Sequence, residues 1–180
     1  MVYILLADGF EEIEALTPLD LLRRAGVETR TVSVSGSAVV HGAHGIDVVA
    51  DLMPNEVSAA PTLVFLPGGM PGALNLDASP VTDKMLTWAK ESGTHIAAIC
   101  AAPLVLGRRG LLRGKRATCY PGFEAELVGA AQIGGRVVTD GNITTAVGMG
   151  AAEEFAAELV RILAGKQKAD AVLSAIHART

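Results

Sequence analysis

Four short strand-like runs, Val2–Ala7, Glu28–Val34, Thr62–Leu66 and His95–Ile99, alternate with segments carrying helix or turn signals. Runs of this length suit buried strands, and the intervals between them suit crossover connections. Glu11–Ala25 has acids in its first turn, Arg23 and Arg24 in its last and Gly26 just beyond, all signals of a helix. Pro18 lies inside it and implies a kink. Val39–Asp51, with Gly42 and Gly45, reads as a hairpin or a bent pair of strands. Ser79 is a good N-cap and Pro80 a good first-turn residue for a helix running to about Ser92. Further on, Ala101–Leu106 reads as helix and Arg116–Cys119, Arg136–Thr139 and Ile143–Val147 as short strands. Ala151–Ala164 is an amphipathic helix stopped by Gly165, and Ala169–His177 reads as a last helix.

This alternation predicts an α/β fold spanning residues 1–180 as a single domain, with a mainly parallel sheet covered by helices on both faces. In such sheets the site lies off the carboxyl ends of the strands. Three segments are therefore expected to converge there: Asp8–Glu14, Pro67–Gly72 and Cys100–Pro103.

Composition narrows the function class. Half of the 180 residues are hydrophobic and 19% are charged, enough for a sizeable core. A net charge of −4 argues against nucleic acid as a partner, and 4% aromatics argues against base-stacking platforms. The longest apolar stretch, Ile96–Gly107, is well short of the ~20 residues of a membrane span. The start, MVYILLADGFEEIE, lacks a basic region and reads as a first strand rather than a signal peptide. With only two cysteines, the expectation is a cytoplasmic protein with no disulfide framework.

Cys100 is the leading candidate for chemistry. Ala97-Ala98-Ile99-Cys100-Ala101-Ala102-Pro103 passes from strand to helix through small residues, as a nucleophile elbow requires. A thiol at the start of a helix would have its pKa lowered by the dipole; the simpler alternative is a small buried hydrophobe. Gly68-Gly69 after Leu66-Pro67 offers bare backbone whose amides could donate to an oxyanion. Glu11, Glu12 and Glu14 open the first long helix. Glu11 and Glu12 read as dipole partners, whereas a carboxyl buried at the sheet edge would have a raised pKa and could shuttle a proton.

Other constellations fail. His95 starts the strand that ends at Cys100, about 16 Å away. His177 lies in the C-terminal tail, and His41 and His44 flank the hairpin. No base adjoins Cys100, so a protease-like dyad is poorly supported. Cys119 is expected to be a core or surface thiol. No Cys/His spacing predicts a metal site. Neither Gly114-Lys115-Arg116 nor Gly148-Met149-Gly150 completes a nucleotide loop, so no cofactor is expected.

Taken in order, Asp8-Gly9-Phe10-Glu11-Glu12-Ile13-Glu14, Asp20-Leu21-Leu22-Arg23-Arg24-Ala25-Gly26, Val64-Phe65-Leu66-Pro67-Gly68-Gly69, the Cys100 segment and Gly148–Gly165 resemble the DJ-1/ThiJ/PfpI superfamily, DJ-1/YajL-like branch. The resemblance covers essentially the whole chain. It implies a flavodoxin-like sandwich that forms a homodimer, with Cys100 as a reactive, oxidisable nucleophile. Glu14 takes the place of the protonated carboxyl beside it, and the amides of Gly69 and Ala101 match the oxyanion donors. Glu11 and Arg24 match residues near the pocket and dimer contact, and Gly68, His44 and Tyr120 are further pocket candidates.

The activities implied are cofactor-free conversion of methylglyoxal-like 2-oxoaldehydes to 2-hydroxy acids, or removal of their adducts from proteins. The alternatives are a redox-sensing or chaperone-like stress protein and, less well supported, a cysteine peptidase. Several positions depart from the family pattern. Ala101 stands where peptidases of the family carry His, Tyr120 where the branch has a pocket histidine, His44 where it has an arginine, Gly42 where it has a second cysteine, and Met149 where it has a proline.

Overall fold

The structure, a computed structural model, describes residues 1–178; the last two residues of the expected domain lie outside them. In chain order the elements are β1 (Val2–Leu6), α1 (Glu12–Arg24), β2 (Thr29–Ser33), β3 (Val39–His41), β4 (Asp47–Val49), β5 (Leu63–Leu66), α2 (Gly72–Asp77), α3 (Pro80–Glu91), β6 (His95–Ile99), α4 (Pro103–Arg108), β7 (Arg116–Ala117), β8 (Ala131–Gln132), β9 (Val137–Asp140), β10 (Ile143–Ala146), α5 (Ala152–Ala164) and α6 (Lys166–Ala175).

Six strands form one sheet in the order β2-β1-β5-β6-β10-β9, parallel except for the edge strand β9. Strands β3 and β4 make the predicted hairpin, and β7 pairs with β8 away from the main sheet. Side chains of β1 alternate between the two faces. Tyr3 and Leu5 enter one core with residues of α2, α3 and α4, while Val2, Ile4 and Leu6 enter another with residues of α1 and α5. Both faces are therefore buried, and the central strands β1 and β5 are buried at every position. Phe65 of β5 meets Phe155 of α5 at a centroid distance of 5.2 Å and 56°, pinning α5 to the sheet. This is a flavodoxin-like α/β sandwich. Its connections leave β1 and β5 in opposite directions, which opens a crevice between them at their carboxyl ends. Among the described residues, no helix is long and apolar enough to cross a membrane.

Several elements differ from the sequence reading. Strand β8 is not foreseen, and the last helix runs Lys166–Ala175 instead of starting at Ala169. The helix expected from Ala101 starts at Pro103, because proline fits the first helical position but not the interior. Helix α2 is not foreseen: it is six residues long, with no side-chain cap. Tertiary bonds hold it, from Gly72 N to the Gly9 carbonyl (3.1 Å) and from Asn75 Nδ2 to the Asp8 carbonyl (2.8 Å). Helix α1 runs continuously through Pro18, which is itself buried. Ser79 caps α3 as expected, accepting from Val81 N.

Candidate functional site

The three loops expected to meet do meet. Glu11 N donates to the Gly68 carbonyl (2.9 Å), and Gly9 N donates to His41 O (2.7 Å), which ties in the hairpin. Cys100 N donates to Ala146 O (2.9 Å), and Tyr120 N to the Cys100 carbonyl (2.8 Å). The backbones touch so closely that a Cβ on Gly69 would stand 2.7 Å from the Phe10 carbonyl carbon, and Gly69 itself has φ +93°. Only glycine satisfies both demands.

Cys100 follows the last residue of β6 and has φ +64°, one of two non-glycine residues in the left-handed region among those described. A non-glycine residue is held there only when its surroundings impose it. The bend lifts the half-buried thiol off the end of β6, as an elbow does.

Glu14 lies on the first turns of α1 and is 1% exposed. Its Oε2 accepts from Gly68 N (3.0 Å). The Cys100 thiol lies beside the same group, whose charge acts on it. Gly68 makes the juxtaposition possible: a Cβ there would lie 2.6 Å from Cys100 Cβ and collide with Glu14 Oε2. Tyr120, half exposed, lays its ring over Gly148 and forms the rim on the other side of Glu14.

The electrostatics correct one expectation. Cys100 precedes a helix of only six residues that begins three positions later, so the dipole does not govern its thiol. Burial, followed by the charge of Glu14, pushes Cys100 up to about 12. The amides of Gly69 and Ala101 face the sulfur and oppose that rise; neither N–H has a backbone partner among the described residues. Burial, then the charge of Glu11, raises Glu14 to about 7. The neutral thiol favours the Glu14 carboxylate while the Glu14 charge disfavours the thiolate, so the pair titrates together and carries at most one negative charge, on Glu14, near neutral pH.

The remaining candidates fall into place differently. His44 reaches neither the thiol nor Glu14. Its Nδ1 sits 2.9 Å from Glu12 Oε2 and 3.4 Å from Glu11 Oε2, and its backbone N donates to Glu12 Oε1 (2.7 Å). The bond to Glu12 and the two carboxylate charges raise the pKa of His44. Glu12, read from sequence as a dipole partner of the helix, is 5% exposed. Burial pushes its pKa up, but bonds from the His44 ring and from backbone amides outweigh that and bring it below the ordinary value. Gly42 makes room for it, since a Cβ there would stand 2.7 Å from Glu12 Cδ. Nothing in the spacing of Cys and His foretells that Glu11, Glu12 and His44 offer three ligand atoms within 4.8 Å of one another.

Arg24 does not belong to the pocket of its own chain. It sits in the exposed last turn of α1, ion-paired to Asp20 (2.6 Å), about 15 Å along the helix from Glu14. Cys119 is buried and packs in the core on the α4 side.

A family model described as the DJ-1/PfpI family matches residues 1–162. The chain is 41% identical to Protein DJ-1 homolog B of Arabidopsis thaliana over 171 residues, covering 93% of this chain and 39% of that one. It thus spans less than half the length of the two Arabidopsis relatives it matches. A Pyrococcus abyssi protein named a deglycase is 33% identical over 168 residues, 90% of this chain and 98% of the relative. A crystal structure of a mutant DJ-1 superfamily protein from Salmonella typhimurium superposes with a TM-score of 0.94 at 34% identity, covering 99% of this chain and 98% of that one.

Proposed function

The chain belongs to the DJ-1/PfpI family, and on that premise we propose that residues 1–180 act as one domain, a cysteine-dependent, cofactor-free enzyme of glyoxalase or deglycase type. The observation that carries this reading is the contact between a buried carboxyl, Glu14, and a thiol held on a strained bend, Cys100. A carboxyl raised to about 7 is matched to moving protons near neutral pH. The deglycase name of the Pyrococcus abyssi relative supports the same class of substrate, a small reactive carbonyl or its protein adduct.

In the proposed reaction the Cys100 thiol passes its proton to the Glu14 carboxylate as sulfur adds to the aldehyde carbon of a 2-oxoaldehyde. The C=O pair becomes an oxyanion, held by the amides of Gly69 and Ala101 that face the sulfur, and is protonated to a hemithioacetal. Glu14 then takes the proton from that carbon and the neighbouring carbonyl oxygen is protonated, giving an enediol. Glu14 returns its proton to the neighbouring carbon as the hydroxyl on the sulfur-bearing carbon loses its own, giving a 2-hydroxy thioester. Water cleaves the thioester, releasing the 2-hydroxy acid and restoring the thiol. The oxidation of one carbon balances the reduction of the other, so no external electron carrier enters. Glu11, beside Glu14, and Tyr120 on the rim line the approach.

Cys100→Ala is expected to abolish methylglyoxal consumption by the purified protein; the reading fails if the unsubstituted protein consumes none, or if the variant consumes it at the unsubstituted rate. A second reading, a stress protein whose Cys100 is oxidised, draws on the half-exposed thiol and the Gly69 and Ala101 amides facing it, which would equally hold sulfinate oxygens. Mild peroxide followed by mass spectrometry tests it, and a thiol that stays reduced would sink it. A peptidase role finds no support, because His44 is engaged by Glu11 and Glu12 instead of Cys100. The exposed Ile13 of α1 and Met149 leave apolar surface for a second copy of the chain, consistent with a homodimer, which light scattering measures.

A further inference from the structure

We infer that the groove between α3 and the segment Pro54–Val57 is a binding site for a small apolar molecule bearing one carboxylate. The groove shares no residue with the Cys100 site, and the argument is independent of the reaction proposed there.

Helix α3 presents more apolar surface than the sheet takes up. Leu86 and Ala89 are buried in the core shared with β1, β5 and β6. Val81, Met85 and Trp88 recur at the spacing of one helix face and line the groove opposite Pro54 and Val57. Met85 is buried, whereas Val81, Trp88 and Val57 are left half-buried. The cavity between the two segments is about 310 Å³, at the lower end of the range for small-molecule sites. Its walls suit a flat or chain-like apolar body.

The charge around the groove selects the polar end of the occupant. Lys84 is the one charged residue of the lining, and no carboxylate lies among the lining residues. The two nearest acids in sequence are engaged elsewhere. Asp83 pairs with Arg109 (2.5 Å), and Glu56 accepts from Met53 N (2.6 Å). The groove also runs along the first turns of a twelve-residue helix, whose N-terminal dipole adds to the positive potential. An apolar slot with a lone ammonium at its edge is complementary to a monocarboxylate and opposed to a cation. The position argues for a small molecule over a second copy of the chain. The apolar surface assigned above to a homodimer, Ile13 and Met149, lies with α1 and the start of α5, on the opposite face of the sheet from α3.

Trp88 is the single tryptophan of the chain, so indole emission reports on this groove alone. The test uses the full-length protein and three probes of one shape: phenylbutyrate, neutral phenylbutanol and cationic phenylbutylamine. Phenylbutyrate is expected to shift the Trp88 emission with a Kd in the millimolar range or below, as suits so small a probe. It should bind roughly threefold to fivefold more tightly than the alcohol, with the amine weakest. Lys84 is exposed, so its substitution leaves the fold intact. Lys84→Gln should bring the acid down to the affinity of the alcohol, and Lys84→Glu should make the amine the best binder. The inference is overturned if phenylbutyrate leaves the emission unchanged at millimolar concentration, if the alcohol or the amine binds the unsubstituted protein as tightly as the acid, or if Lys84→Glu keeps the original order.

Discussion

Gly68→Ala tests whether the Cys100–Glu14 contact is built by the loop between β5 and α2. A Cβ at this position would stand 2.6 Å from Cys100 Cβ and 2.9 Å from the Ile99 carbonyl oxygen, and would overlap Glu14 Oε2. Cys100 must then retreat by about 0.8 Å to recover ordinary van der Waals contact. It cannot do so freely, because its backbone is tied to Ala146 and Tyr120 and fixed at φ +64°. The strain should cost about 1–3 kcal/mol, the usual range for an extra methyl group in a packed site. For a chain of this size that is a fall in Tm of roughly 2–12 °C.

The functional effect should exceed the effect on stability. Displacing reacting groups by about 1 Å costs on the order of a hundredfold in rate. The assay is the rate of Cys100 alkylation by iodoacetamide alongside methylglyoxal turnover, with Gly36→Ala as control, since a Cβ there meets nothing within 4 Å. The control should stay within about 0.5 kcal/mol of the parent. If Gly68→Ala alkylates and turns over like the parent with an unchanged melting temperature, the close packing of the loop against the thiol and acid is refuted.

Two further outcomes follow from the same geometry. The Glu14 carboxyl titrates near 7 when folded against about 4.5 when unfolded, so the folded state binds the extra proton and stability falls as pH rises between those values. That amounts to about 3 kcal/mol; Glu14→Gln should therefore raise the melting temperature more at pH 8 than at pH 5 while suppressing turnover, and an equal shift at both pH values would contradict it. Phe155→Ala removes a fully buried ring from its contact with Phe65 and should cost about 3–5 kcal/mol in a denaturant melt, so a loss under 1 kcal/mol would show that α5 is not held this way.

The architecture was written locally. The strands of the main sheet announced themselves by short runs of apolar or β-branched residues, α3 by its Ser79 cap, and α1 and α5 by charges in their end turns and a glycine beyond. The order of strands and helices fixed the layer pattern, and with it the edge where loops must gather. Small residues around Cys100 marked the elbow, because a tight bend demands them whatever lies beyond.

Other features depended on groups far apart in the chain. Helix α2 exists because its backbone and Asn75 lean on the Asp8-Gly9 loop. The three acids at the start of α1 looked alike in sequence, but the sheet edge buried Glu14 against Cys100, the hairpin claimed Glu12 for His44, and Glu11 was left between them. The sign of the thiol's shift was likewise set by burial and a carboxylate 86 positions away, terms that outweigh a dipole from one short helix. Sequence determines what folds next to itself; which charges are stripped of water, and which charges they then face, is decided only when distant segments close over them.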